Sequence, residues 1–162
     1  MPAPSRIAPH AVALNAEVVT AGIRREENEL ASGRFVLLYD PSGPEPWDGV
    51  WRAVTFARAE LEPELAIDPM LGAVGWSWLM EALGNHEATY VAEGGTVTRV
   101  VSESFAGLED RSASVEMEIR ASWTPTGPDL GVHLQAWAEL LCTIAGLPPL
   151  PEGVVALPRQ RR

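Results

Sequence analysis

The side chains best suited to polar chemistry lie close together in residues 96–105, whose sequence TVTRVVSESF predicts a strand. Because side chains alternate between the two faces of a strand, Arg99 and Glu103 share one side. The hydroxyl groups of Thr98 and Ser102 lie on the other side. A hydroxyl-rich sheet face can hold a small polar ligand, but it is more often a solvated surface with cross-strand pairs.

Arg120 is a further charged candidate and belongs to residues 113–123, the segment with the clearest strand pattern. Apolar and polar residues alternate there, which is typical of an antiparallel strand with one face toward a core and one toward water. Arg120 is on the polar face, where it could pair with Glu103 or Glu116. This placement makes it a candidate binding residue.

Three tryptophans are candidate contact residues, because Trp and Arg dominate binding hot spots. Trp47 and Trp51 flank a predicted turn, and the alternative for them is a structural role at the edge of the core. Trp76 and Trp78 lie two residues apart on a predicted helix, so they face different sides. Trp76 joins the apolar stripe, which leaves Trp78 to solvent, a loop or a partner chain.

Sequence patterns typical of catalysis are missing from the chain. There is no G-x-S-x-G motif, no phosphate-binding loop and no G-x-G-x-x-G motif. The three histidines are not at metal-ligand spacing. Cys142 lies on a predicted apolar helix face, which favours a buried and inert thiol. We therefore predict no catalytic residue, no metal site and no cofactor.

The charge balance argues against two classes of partner. The 162 residues include 12 basic and 22 acidic side chains, for a net charge of −10. An acidic protein repels nucleic-acid phosphates and anionic lipid. No stretch has the length of a membrane span, and the first twenty residues lack the pattern of a secretory signal. These features predict a cytoplasmic protein that binds neither nucleic acid nor membrane.

One domain must position the candidate residues. Periodic apolar patterns predict strands at 11–20, 33–40, 50–60, 96–105 and 113–123, and helices at 73–83 and 130–145. The order β-β-β-α-β-β-α with short joints predicts an α+β two-layer sandwich with a mainly antiparallel sheet. One parallel pair across the first helix is allowed, and Gly94-Gly95 could close a hairpin after a short strand at 88–92.

Two segments carry more specific expectations about burial. The nearly continuous apolar run at 33–40 suits a strand buried on both faces or a central strand. The last helix has an apolar stripe at Leu130, Leu134, Trp137, Leu141 and Ile144. The proline-rich ends, 1–10 and 147–162, predict extended arms around a single domain at 11–146, and the second arm ends in arginines.

Several motifs together resemble the actinobacterial family known as domain of unknown function 3000. They are ASGRFVLLYDP at 31–41, WDG at 47–49, VTFARAEL at 54–61, VGWSWL at 74–79 and GTVTRV at 95–100. The resemblance implies no activity and no catalytic residues. It also implies, for many members, a helix before the segment that matches Ile7-Ala8-Pro9. With that helix the element order is similar to that of type III secretion chaperones, which are small, acidic, dimeric and bind segments of other proteins.

The leading hypothesis is a non-enzymatic protein-interaction or chaperone-like regulatory domain, with a protein partner or a second copy bound through Trp47, Trp51 and Trp78. The alternative is a small-ligand binder or enzyme that uses Arg99, Glu103 and Arg120. A closed pocket lined by those three residues would favour the alternative. A flat exposed apolar patch around Trp78 would favour the leading hypothesis.

Overall fold

The computed structural model describes residues 7–21, 27–110 and 113–146. In these ranges the chain forms the strands β1 (His10–Ala21), β2 (Glu27–Tyr39), β3 (Trp51–Leu61), β4 (Thr89–Ser102) and β5 (Ser114–Thr126), and the helices α1 (Leu71–Asn85) and α2 (Gly131–Ile144). Short 3-10 helices at Glu45–Trp47, Pro63–Ile67 and Ala106–Leu108 lie in the connections between these elements. The α+β class is confirmed.

The five described strands form one antiparallel sheet in the order β1-β2-β3-β5-β4. The parallel pair that the sequence allowed is absent from this described sheet. The hairpin predicted at Gly94-Gly95 is also wrong, because β4 runs through both glycines as one strand with a bulge between Val91 and Gly94. Gly95 is needed for close packing rather than for a turn. A Cβ atom there would lie 2.8 Å from the ring of Trp76.

Both helices pack on one face of the sheet, and the main core lies between the two layers. On the sheet side, small residues line this face in β3, where Ala53, Ala57 and Ala59 are buried. In β5 the predicted alternation is confirmed, since Met117 and Ile119 point into the core. Apolar burial of this kind is the dominant favourable term in folding.

The two helices differ in detail from their predicted forms. α1 begins at Leu71, after the Asp68 carboxylate accepts a 2.8 Å hydrogen bond from the backbone N–H of Met70. In α2 the buried face is rotated from the predicted stripe. Leu134 is only half-buried, whereas Ala136 and Leu140, which lie outside the stripe, are buried. Its buried residues are His133, Ala136, Trp137, Leu140, Leu141 and Ile144.

A smaller apolar cluster lies on the opposite face of the sheet, at the β1–β2 end. Val36 and Leu38 of β2 are buried there, together with Ala8 from the segment before β1, and Trp47 packs against them. Because Phe35 of the same strand is buried in the main core, the prediction that β2 is buried on both faces is confirmed. Most of the predicted arms, residues 1–6 and 147–162, lie outside the described residues.

Candidate functional site

The face of the sheet turned away from the helices carries an open concave pocket with a volume of about 760 Å³. We call this pocket the trough. It crosses β2, β3, β5 and β4, and its lining is mostly apolar. The lining residues are Arg34, Val36, Val54, Thr55, Phe56, Gly94, Gly95, Thr96, Arg120, Ala121 and Ser122.

Strand register builds the trough from two adjacent rows of side chains. In the first row Arg34 lies opposite Phe56, Phe56 opposite Arg120, and Arg120 opposite Thr96. In the second row, two residues along each strand, Val36 lies opposite Val54, followed by Ser122 and Gly94. The rows are therefore about 7 Å apart. One row carries the charges, and the other supplies an apolar floor.

Arg120 has the most informative geometry in the first row. Its guanidinium carbon lies 4.9 Å from the centre of the Phe56 ring, which is a cation–π contact. Its Nη1 donates a 2.9 Å hydrogen bond to Oε2 of Glu118. The predicted pairing with Glu103 or Glu116 is wrong, because Glu118 is the nearest carboxylate on the same side of β5 and Glu116 pairs with Arg58 at 3.3 Å.

Arg52 lies beside the trough, next to its lining residue Ser122, and has a structural role. Its guanidinium donates hydrogen bonds to the carbonyl of Ala92 at 2.8 Å, to Oγ1 of Thr124 at 3.0 Å and to Oγ of Ser122 at 2.8 Å. Burial lowers the pKa of Arg52, but arginine stays charged at neutral pH. The side chain thus ties β3 to β5 and to the bulge of β4.

The predicted tryptophan contacts fall in separate places. Trp47 packs on the small cluster of Val36 and Leu38, and its carbonyl accepts a hydrogen bond from Thr124. Trp51 stacks against Tyr39 with ring centres 4.5 Å apart. The structure therefore does not bring Trp47, Trp51 and Trp78 together.

Trp78 is half-buried and packs against the main core. The sequence argument that it has no room in the core of its own chain is therefore wrong. The half-turn of helix that separates Trp78 from Trp76 still leaves both rings within reach of the core, because α1 lies beside α2 as well as over β4. This packing removes the flat exposed patch that the leading hypothesis expected around Trp78.

Arg99 and Glu103 lie apart from Arg120. Arg99 is on the helix side of β4, where its guanidinium donates to the carbonyl of Ala66 at 2.6 Å and to the carbonyl of Asp68. It fixes the chain just before α1. Glu103 is exposed beyond the end of β4. The predicted grouping of Arg99, Glu103 and Arg120 is therefore wrong, and Thr96 is the residue of the hydroxyl-rich strand that lines the trough.

A buried polar pair joins β5 to α2 beneath the sheet. Nε1 of Trp123 donates a 2.9 Å hydrogen bond to Nδ1 of His133, and both residues are fully buried. His133 is therefore neutral, with its proton on Nε2, which has no hydrogen-bond partner among the described residues. Burial lowers the pKa of His133, and the charge of Asp129 opposes that shift. The sequence analysis did not predict this pair.

The sequence analysis also missed Arg34 and Phe56, which are central to the trough. Arg34 is a charged residue inside an otherwise apolar strand, and that exception was a usable signal. Phe56 fits the apolar pattern of its strand, so nothing in the sequence sets it apart as a site residue. Their meeting with Arg120 depends on the register of three strands, which the sequence alone does not define.

The described residues offer neither a membrane-spanning helix nor a cluster of metal ligands. None of the helices they form is long and apolar enough to cross a membrane. The same residues contain no group of three or more His, Cys, Asp or Glu side chains placed to hold a metal ion. The site is thus a sheet surface defined by arginines and apolar side chains.

The fold and the trough define an α+β domain in which both described helices cover one face of the sheet. Neither of them covers the other face, which we call the uncovered face in that sense. Residues 1–155 match the family described as protein of unknown function (DUF3000), and the chain belongs to that family. No curated protein and no solved structure matches the chain. The geometry of the trough is therefore the basis for assigning a function.

Proposed function

We propose that this protein is a non-enzymatic binding domain that holds a segment of another protein in the trough. The observation that carries the proposal is a depression of about 760 Å³ with a mostly apolar lining, on a sheet face that neither described helix covers. Apolar pockets with a few well-placed polar groups are the usual form of binding sites. The trough has this composition.

The shape of the trough favours an extended segment over an enclosed small molecule. Val54, in its floor, is 42% exposed, and Gly94 and Thr96 at its β4 end are exposed as well. A ligand in the trough would keep one side in water along its whole length. The alternative of a small-ligand binder or enzyme on the hydroxyl-rich strand has less support, because Arg99 and Glu103 do not converge with Arg120.

A chaperone-like or regulatory role in the cytoplasm fits this binding mode. The similarity of element order to type III secretion chaperones, which needs one added N-terminal helix, is an analogy only, since no solved structure matches the chain. A second copy of the chain is the competing partner, and the experiment below includes it as a distinct outcome.

Site-specific photo-crosslinking in the native cell tests the proposal. A photoreactive benzoyl-phenylalanine is placed at Phe56 in the trough, and a control is placed at Ala73, an exposed position on α1. We expect adducts with a short segment of another protein from position 56 and not from position 73. A synthetic copy of that segment should bind the purified protein and fail to bind Val54→Glu, which puts a charge into the apolar floor. Adducts with this chain itself would replace the partner by a second copy.

A further inference from the structure

We infer that the trough selects an extended segment in which an acidic side chain lies two residues from a large apolar one. The inference rests on the proposed function and names the chemistry of the bound segment. It follows from the charges of the first row, the apolar floor of the second row and the distance between the two rows.

The charge of the trough is opposite to that of the whole protein. Arg34 and Arg120 line it, and its lining within the described residues includes no Asp or Glu, although the chain has a net charge of −10. Charges are screened over about 8 Å at physiological ionic strength. Within this distance the arginines of the lining favour a carboxylate, although Glu118, just outside the lining, already accepts one hydrogen bond from Arg120.

Arg120 has donors available for that carboxylate. A guanidinium carries five N–H groups in a planar fork. Among the described residues, Arg120 donates one hydrogen bond to a side chain, that of Glu118. The guanidinium of Arg120 lies over the Phe56 ring, and the Arg120 side chain is 57% exposed. A held and exposed fork is suited to bidentate contact with a carboxylate.

The second row supplies the apolar half of the specificity. Val36 and Val54 lie side by side there, next to the ring of Phe56 in the first row. In an extended chain that runs parallel to the strands, side chains i and i+2 are on the same face and about 7 Å apart. That separation equals the spacing of the two rows. Because the guanidinium of Arg120 lies over the Phe56 ring of β3, a segment that runs along β3 with its acidic residue there places the residue two positions away over Val54.

A library of random peptides displayed on phage and selected on the purified full chain tests the inference. We expect enrichment of peptides with Asp or Glu two residues from a large apolar residue. The best peptide is then measured by fluorescence anisotropy, and its acid-to-amide version should bind about tenfold more weakly, as expected for a lost charge-assisted hydrogen bond. This comparison changes only the peptide, so it does not depend on any variant folding.

A matched pair of protein variants locates the contact. Arg120→Gln should weaken binding of the acidic peptide about tenfold, whereas Arg58→Gln should change it less than twofold. Arg58 is a close control, since it lies on the same face, is 47% exposed and also pairs with a glutamate. Equal losses from both variants would show a general charge effect and overturn the inference.

The failures of the two proposals can be told apart. Selection of neutral or basic peptides whose binding is abolished by Val54→Glu overturns the inference and leaves the proposed function standing. No enrichment, or enriched peptides that bind Val54→Glu as well as the original chain, overturns the proposed function and the inference with it.

Discussion

The two faces of the sheet use the same strands in opposite ways. On the helix-covered face, small residues let large rings approach closely, as Gly95 does for Trp76 and Gly33 for Trp137, where a Cβ would be 2.8 Å from each ring. On the uncovered face, Phe56 and the arginines remain partly exposed. One face is closed by interlocking shapes, and the other keeps groups that can still form contacts.

This difference shows where stability and binding are located in the molecule. The covered face holds the large fully buried side chains Trp123, Trp137 and Met117, so changes there should act mainly on folding. Side chains of the trough contribute less to the core, so changes there should act mainly on binding. Four measurements can break or sharpen this division.

The largest effect is expected from Trp137→Ala, because Trp137 is 1% exposed and packs on Phe35 with ring centres 5.8 Å apart. The substitution should cost about 3–5 kcal/mol of unfolding free energy, the usual range for a buried large aromatic residue. Urea denaturation measures it. Val54→Ala on the uncovered face is the control and should cost less than about 1 kcal/mol. Equal costs at the two positions would contradict the division.

Gly95→Ala should be the next most costly change. A Cβ at Gly95 would lie 2.2 Å from the carbonyl oxygen of Arg120 as well as close to Trp76, and overpacking of this kind costs about 1–3 kcal/mol. At the neighbouring Gly94 a Cβ meets nothing within 4 Å. Gly94→Ala is therefore a matched control with little expected change. Thermal melts of both variants compare them, and a lower melting temperature for Gly94→Ala than for Gly95→Ala would refute the packing argument.

Acid should destabilise the covered face through His133. Burial lowers the folded-state pKa of His133 below its ordinary value of 6.5, so between those values the unfolded chain binds the extra proton. The stability is present above pH 6.5 and is lost as pH falls through the folded-state pKa, by at most about 1.4 kcal/mol per pH unit.

The measurement is the unfolding free energy at several pH values between 5 and 8, for the original chain and for His133→Gln. Other titrating groups contribute equally to both chains, so the difference in slope isolates His133. A His133→Gln chain with the same slope as the original would show that His133 does not titrate differently in the two states.

The smallest effect is expected for the pair of Arg58 and Glu116 on the uncovered face. Their side chains are 47% and 34% exposed, and exposed ion pairs contribute about 0.2–1 kcal/mol. A double-mutant cycle in low and high salt measures the coupling, which should shrink as salt rises. Coupling above 2 kcal/mol would mean that this face contributes to folding much more than we propose.

Local periodicity was enough to predict most of the fold. Burial of one face gives a strand an apolar residue at every second position and gives a helix one at every third or fourth position. β5 and the double burial of β2 are examples. Gly94-Gly95 misled the prediction, since glycine is used both for turns and for close approach, and only the position of Trp76 tells which applies. The prediction for Trp78 was wrong for a related reason. Whether its large ring can reach the core depends on where the neighbouring helix lies.

The candidate site was much less predictable than the fold. Arg120 was identified, but Phe56, which it contacts, and Arg34, which lines the same trough, are 64 and 86 positions away in the sequence, and their placement depends on how the strands are aligned. Arg99 was wrongly grouped with Arg120. The alternation of residues shows which face of the strand a side chain takes, but not which residues it meets on that face. On the helix side, that residue donates hydrogen bonds to backbone carbonyl groups of the chain before α1.

The bulge in β4 has a consequence for solubility at high concentration. β1 and β4 are the edge strands of the described sheet, and in β4 the bulge sets two residues, Ala92 and Glu93, against one residue of β5. An unbroken edge is a template on which other chains can add strands and grow into fibrils. A bulge twists the edge and interrupts its row of hydrogen-bonding groups, so the β4 end of this sheet resists such growth.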